Sequence, residues 1–201
     1  MATYHHGNLR AALLERAVEV IDAQGVEGLS LRQIAKDLGV SHAAPARHFQ
    51  SKADLLAALV KDAYLELTQH VLASAHDAGE TDPIVALNLM AQQTLRWALA
   101  NRAKFSVMSN PDVSRFADDA LKDALSEFAA AIGAALAAAQ AAGFRPAASP
   151  ETMMIYAIGA ARGIAGALTD GLISAILTEP SDDIDDMIKQ IADQVVPLPP
   201  T

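Results

Sequence analysis

Cysteine is absent from this 201-residue chain, which excludes a disulfide framework, a thiolate metal site and a thiol nucleophile and fits a reducing compartment. Aromatic residues make up only 4% of it, so the core must come from aliphatic side chains and alanine. Basic residues are the minority: 15 Lys and Arg face 24 Asp and Glu, a formal charge of −9. As a bulk quantity that charge speaks against nucleic acid, because DNA affinity rests largely on cations at phosphates. Strand-period alternation is missing, and no segment repeats. Met1 to Arg10 lacks the apolar run of a signal peptide. The best membrane candidate, Met153 to Leu177, carries Arg162 and Asp170 near its middle, and each is costly in a bilayer. The expectation is a buried helix in a soluble, cytoplasmic protein with no membrane partner.

What is present reads as helix. Leu9, Leu13, Ala17, Val20 and Ile21 keep the rhythm of one helical face, which ends at Gln24-Gly25. Ser30 and Gln33 have the spacing of a capping box. Leu31, Ile34, Ala35 and Leu38 follow as the apolar stripe of a short helix stopped by Gly39. Ser41 opens a helix to about His48. Ser51, with Asp54 in the first turn, opens a long one to about Ala78 whose apolar face is Leu56, Leu59, Ala63, Leu67 and Val71. Further helices are expected over 83–100, 102–108, 113–142, 150–177 and 182–196, broken by Gly79 to Pro83, Asn110-Pro111, Gly143 to Pro150 and Glu179-Pro180. The fold class is all-α.

The acid is unevenly spread. Residues 1–70 hold 7 Lys and Arg against 8 Asp and Glu, whereas residues 71–201 hold 8 against 16. Ser41 to Lys52 contains His42, Arg47, His48 and Lys52 and no acid at all. That stretch closes a segment, SLRQIAKDLGVSHAAPARHF at 30–49, with the layout of a helix-turn-helix: a short apolar helix, a glycine turn, then a short helix with polar outward positions. Ala35 is small where the helices would cross, and Gly39 supplies the turn. A helical hairpin used only for packing has the same spacing; the missing acid favours a DNA groove.

Leu29-Ser-Leu-Arg-x-Ile-Ala-x-x-Leu-Gly-Val-Ser41, Arg47-His-Phe49 and Lys52-x-x-Leu-Leu56 resemble the N-terminal signature of the tetracycline-repressor (TetR) family. Tyr4-His-His-Gly-Asn-Leu-Arg10 and Ser41-His-Ala-Ala-Pro45 are similar to the subgroup whose C-terminal domain is named for a Trp-His-Gly pattern. With Asp170-Gly171 taken as the register, Ile158 and Arg162 replace the Trp and His and only Gly163 remains, so the subgroup's ligand preference does not carry over. The resemblance implies a homodimeric regulator, usually a repressor, that binds a palindromic double-stranded DNA operator and is released by a small-molecule effector. It implies a DNA-binding head at 1–50 and a ligand-binding and dimerisation body at 51–201. By position, Ser41, His42, Ala43, Ala44, Ala46 and Arg47 follow the recognition helix, Ser30 and Arg32 open the preceding one, and His48 and Lys52 lie where relatives grip phosphate. Arg47 suits guanine or phosphate, Ala43 and Ala44 a thymine methyl, and Ser30 and Lys52 phosphate oxygens. Ala46 stands where the family usually has Tyr, and Pro45 sits inside the expected recognition helix, where it forfeits a backbone hydrogen bond.

In the body, Met90, Trp97, Phe105, Met108, Phe116, Phe128 and Tyr156 read either as ordinary core or as the lining of a ligand cavity between helices. Arg162 is the only cation between Glu151 and Glu179. It pairs with an acid, points to solvent, or anchors an anionic effector. Gly159, Gly163 and Gly166 give the same helix a bald surface suited to close helix packing. With Ile184, Ile188 and Ile191 of the last helix that surface forms either a two-fold dimer interface, as in the family, or a contact within the subunit. No two histidines share a helical face, so no metal site is expected, and no cofactor. A phosphate loop, a nucleophile elbow and a catalytic carboxylate pair are all missing, so no enzyme is expected. The alternative function is an all-α small-molecule-binding or scaffold protein without DNA binding.

Overall fold

A computed structural model of the chain describes residues 9–77, 81–110, 117–169 and 183–198. The breaks expected at Gly79, Pro111 and Glu179-Pro180, the residue Phe116, the Tyr4 motif and Asp170-Gly171 lie outside the described residues. Among those described there are eight α-helices and no strand: α1 (Leu9–Gln24), α2 (Leu31–Asp37), α3 (Lys52–Asp77), α4 (Pro83–Ala100), α5 (Arg102–Met108), α6 (Asp119–Ala141), α7 (Pro150–Thr169) and α8 (Ile184–Val195). Two short 3-10 turns, Val26–Gly28 and Pro45–Arg47, lie between them. The all-α expectation holds.

Contacts divide the chain into two units, Met1–Ala63 with Arg102–Lys122 and Tyr64–Asn101 with Asp123–Thr201. The division falls within α3 and α6, and α5 belongs with the first unit.

In the first unit α1 packs on α2, α5 and both 3-10 turns. The periodic residues Leu13, Ala17, Val20 and Ile21 are buried, with Ile34 and Ala35 of α2 and Phe105 and Val107 of α5. Each fully buried Leu, Ile or Phe contributes roughly 1.5–3 kcal/mol relative to exposure. α2 ends on a Schellman motif: the amide of Val40 donates to the carbonyl of Ala35 and that of Gly39 to Lys36, with Gly39 at φ 67°, where a side chain would be strained.

The capping chemistry differs from expectation at one helix. Ser30 is the N-cap of α2, but its hydroxyl makes no cap hydrogen bond, and the Gln33 amide donates instead to Asp37 Oδ1 at 2.6 Å. A carboxylate is the stronger acceptor for that amide, so the box does not close. The reciprocal box forms at Ser51: its hydroxyl accepts from the Asp54 amide, and Asp54 Oδ2 accepts from the Ser51 amide.

In the second unit α4 packs on α7 and α8. Leu87, Leu136, Ala139, Met153 and Val196 form one buried cluster. A polar ladder crosses it: Asn88, buried, donates to Asp193 Oδ1 and to the Val196 carbonyl, both at 2.8 Å, and accepts from Gln92 at 2.7 Å. Arg96 extends the ladder to Gln92 and to Asp185. The helix expected to be buried, α7, buries only Met153 and Ala165 fully; Ile155, Gly159 and Gly163 are exposed. Length and composition alone would let α6 and α7 cross a membrane, but each carries one side against this core.

Candidate nucleic-acid interface and ligand cavity

The first unit ends its helix-turn-helix in a way the periodicity did not foresee. The second helix, expected from Ser41 to about His48, is a turn followed by the 3-10 turn Pro45–Arg47. Pro45 has no amide to donate to the Ser41 carbonyl, and its ring crowds that carbonyl. The Ser41 carbonyl instead accepts from Ala44, a tighter i to i+3 closure. Pro45 and Phe49 are buried and hold this segment down.

Most of the segment around them faces outward. Ser41, His42, Ala43, Ala46, Arg47 and His48 are exposed and Ala44 is half-buried. Ser30, Arg32, Gln33, Lys36 and His42 line one open polar depression. The sequence placed Gln33 only in a capping box and Lys36 nowhere on this surface, although Lys36 stands one helical turn from Arg32 and so shares its face. Ser30, without a cap bond, keeps its hydroxyl available at the N-terminus of α2. Lys52 is half-buried and its ammonium donates to the Val26 carbonyl at 2.6 Å. That bond uses one of three N–H donors and ties α3 to the Val26–Gly28 turn.

The frame under this surface is ionic and aromatic. Arg16 of α1 donates to Asp37 of α2 at 2.9 and 3.0 Å and also pairs with Glu19. The hydrogen bond from Arg16, with that from Gln33, holds the Asp37 carboxyl below its usual range. Arg10 lies 5.6 Å over the Phe49 ring and 3.9 Å from Asp62, a cation–π contact that pins the end of the turn.

The second unit contains an apolar cavity of about 90 Å³. Leu87, Met90 and Leu95 of α4, Phe128, Ile132 and Leu136 of α6, Tyr156 and Ile164 of α7, and Val195 line it, with Phe144 and Arg145 from the α6–α7 connection. Of the expected ligand residues Met90, Phe128 and Tyr156 are in the lining. Trp97 is buried on α4 without reaching it, and Phe105 and Met108 belong to the core of the first unit. Arg162 is exposed and does not line the cavity; its charge acts on Tyr64, whose phenol burial pushes up and Arg162 pulls back. Tyr64 meets Phe128 edge to face at 5.3 Å. Arg145 is the cation at the cavity, and reading periodicity missed it because it follows a helix rather than lying on one.

Of the expected dimer residues, Gly159 and Gly163 are exposed, and a Cβ on Gly159, Gly163 or Gly166 would meet nothing within 4 Å. Ile184 is exposed at 45% and Ile191 half-buried, but Ile188 is buried within the single chain.

The first unit is a helix-turn-helix head and the second a helical body with an apolar cavity. Residues 13–59 match the family model for bacterial regulatory proteins, tetR family, which supports the tetR-family regulator that the sequence resembles. It is 35% identical over 83 residues to the HTH-type transcriptional repressor DrrR1 of Streptomyces coeruleorubidus, covering 41% of this chain and 29% of that protein. To an HTH-type transcriptional regulator of Mycobacterium tuberculosis it is 30% identical over 103 residues, 50% of this chain and 43% of the other. The chain thus spans less than half the length of the curated relatives it matches. A solved structure of a protein of unknown function from Rhodococcus sp. RHA1 is similar throughout, with a TM-score of 0.76 at 30% identity and 97% of both chains covered.

Proposed function

We propose that this protein is a ligand-responsive, DNA-binding transcriptional repressor, cytoplasmic and without enzymatic activity. It acts as a homodimer on a palindromic operator. The observation that carries this reading is the exposed row from Ser41 to His48, anchored by Pro45 and Phe49, beside the depression of Ser30, Arg32, Lys36 and His42. Arg47 reads a guanine or holds a phosphate, and Ala43 and Ala46 are small enough to meet thymine methyls. Ser30, Arg32, Lys36 and the two donors left on Lys52 serve the phosphates.

The dimer forms through the face of α7 that carries Gly159 and Gly163, together with Ile184 of α8. Ile188 is spoken for inside the subunit and takes no part. A small molecule in the cavity favours a dimer whose heads no longer match major grooves one turn, about 34 Å, apart. The acidic body is repelled by the duplex and leaves binding to few contacts, so non-specific affinity is weak.

The test is a band shift with the DNA upstream of the gene, repeated over a salt series. A discrete, salt-sensitive complex is expected, lost on Arg47→Ala. Absent or salt-insensitive binding, unmoved by Arg47→Ala, would leave a helical ligand-binding protein instead.

A further inference from the structure

The chain turns out of α6 through a second Schellman motif. The Phe144 amide donates to the Ala139 carbonyl and that of Gly143 to Gln140, with Gly143 at φ 105°. Two residues later Arg145 stands at φ 46°, the one non-glycine residue with positive φ among those described. The Gln140 side chain fastens the turn by donating to the Ala148 carbonyl at 2.7 Å. This connection presents the Arg145 guanidinium at the cavity edge, 4.3 Å over the Tyr156 ring and 5.2 Å from that of Phe144. Among the described residues its one hydrogen bond is a long one, 3.4 Å to the Val195 carbonyl, and no carboxylate there pairs with it.

An arginine stacked on aromatic faces has its fork oriented while its N–H edge stays open, which is the geometry that receives a carboxylate through two hydrogen bonds. Beneath it the cavity is almost wholly apolar. Its size limits the tail: a cavity of about 150 Å³ holds benzene, and this one has about 90 Å³. By proportion that is room for about three or four carbons.

Resting on the reading of this cavity as the effector site, we infer that its ligand is a short-chain aliphatic monocarboxylate, with the tail in the cavity and the carboxylate on Arg145. Arg145 takes the anchoring role that the sequence suggested for Arg162.

The probes are pentanoate, its neutral analogue pentanamide, and xenon, titrated by NMR against the full chain. Wild type binds pentanoate at least tenfold more tightly than pentanamide. Arg145→Gln removes that preference, Arg162→Gln retains it, and Ala157→Leu, which fills the cavity, abolishes binding of all three. The comparison of acid with amide needs no variant, so a misfolded Arg145→Gln leaves it decisive. Equal binding of pentanoate and pentanamide, or an undiminished preference in Arg145→Gln, overturns the assignment. Xenon uptake without pentanoate binding overturns the carboxylate alone. No uptake of any probe overturns the effector cavity as well, while the band shift judges DNA binding separately.

Discussion

Arg16 and Asp37, twenty-one residues apart, are joined by two hydrogen bonds from one guanidinium to a single carboxylate oxygen. The pair locks α1 to α2 below the candidate DNA surface. Because Asp37 titrates below its usual range in the fold, the unfolded chain takes up the proton first as the pH drops. The contribution is therefore complete above the ordinary carboxylate range, about pH 4, and drains as pH falls through the lowered folded value. Asp37→Asn should melt below wild type at neutral pH, with the gap closing as the pH falls below the ordinary carboxylate range. A gap that stays constant on acidification would show that this clamp does not titrate.

Lys52 has two roles that separate experimentally. Its bond to the Val26 carbonyl is charge-assisted, so Lys52→Met, which keeps the apolar stem, should cost about 1.5–3 kcal/mol in urea unfolding. If the remaining donors also meet phosphate, the salt dependence of DNA binding should fall by about one charge in the same variant. Arg47 is exposed and carries no such internal bond, so Arg47→Ala should leave the unfolding curve in place. It should still weaken DNA binding by about 1–3 kcal/mol. Equal effects of both variants on stability would contradict the assignment.

Much of this architecture is legible from spacing, and the exceptions have local causes. α1, α2 and α3 follow their apolar periodicity because each buries one face. The recognition segment does not, since Pro45 removes a donor that periodicity cannot see. Ser30-x-x-Gln33 and Ser51-x-x-Asp54 look equivalent in sequence, but Gln33 has Asp37 one turn away and takes it. Met90, Phe128 and Tyr156 were readable as cavity candidates because they are large, adaptable side chains on three expected helices. Arg145 was not, because its position depends on the Gly143 turn and on an aromatic stack with Tyr156, eleven residues further on. Gly-Phe-Arg-Pro after an alanine-rich helix was the available signal.

Asn88 is the least replaceable polar residue of the second unit. It is 1% exposed and satisfies Gln92, Asp193 and the Val196 carbonyl together. Asn88→Leu leaves a buried carbonyl without a donor and should cost at least about 1–3 kcal/mol. Asn88→Asp should be worse at neutral pH, setting a second carboxylate against Asp193, and should recover part of the loss in acid. Urea midpoints at two pH values decide this; equal midpoints for Asp and Leu variants at neutral pH would mean the ladder carries little.

The face of α7 tests the dimer from both sides. Within one subunit a Cβ on Gly163 meets only open space, so Gly163→Ala should raise the stability of an isolated subunit by about 1 kcal/mol through helix propensity. If the glycines instead let a partner helix approach closely, the same methyl falls in the interface, and the larger Gly163→Leu disrupts it outright. Light scattering over a dilution series should then show Gly163→Leu as monomer where wild type remains dimer. Gly163→Ala should dissociate at higher concentration than wild type despite its stronger helix. A dimer that survives Gly163→Leu with unchanged affinity would move the two-fold contact off this face.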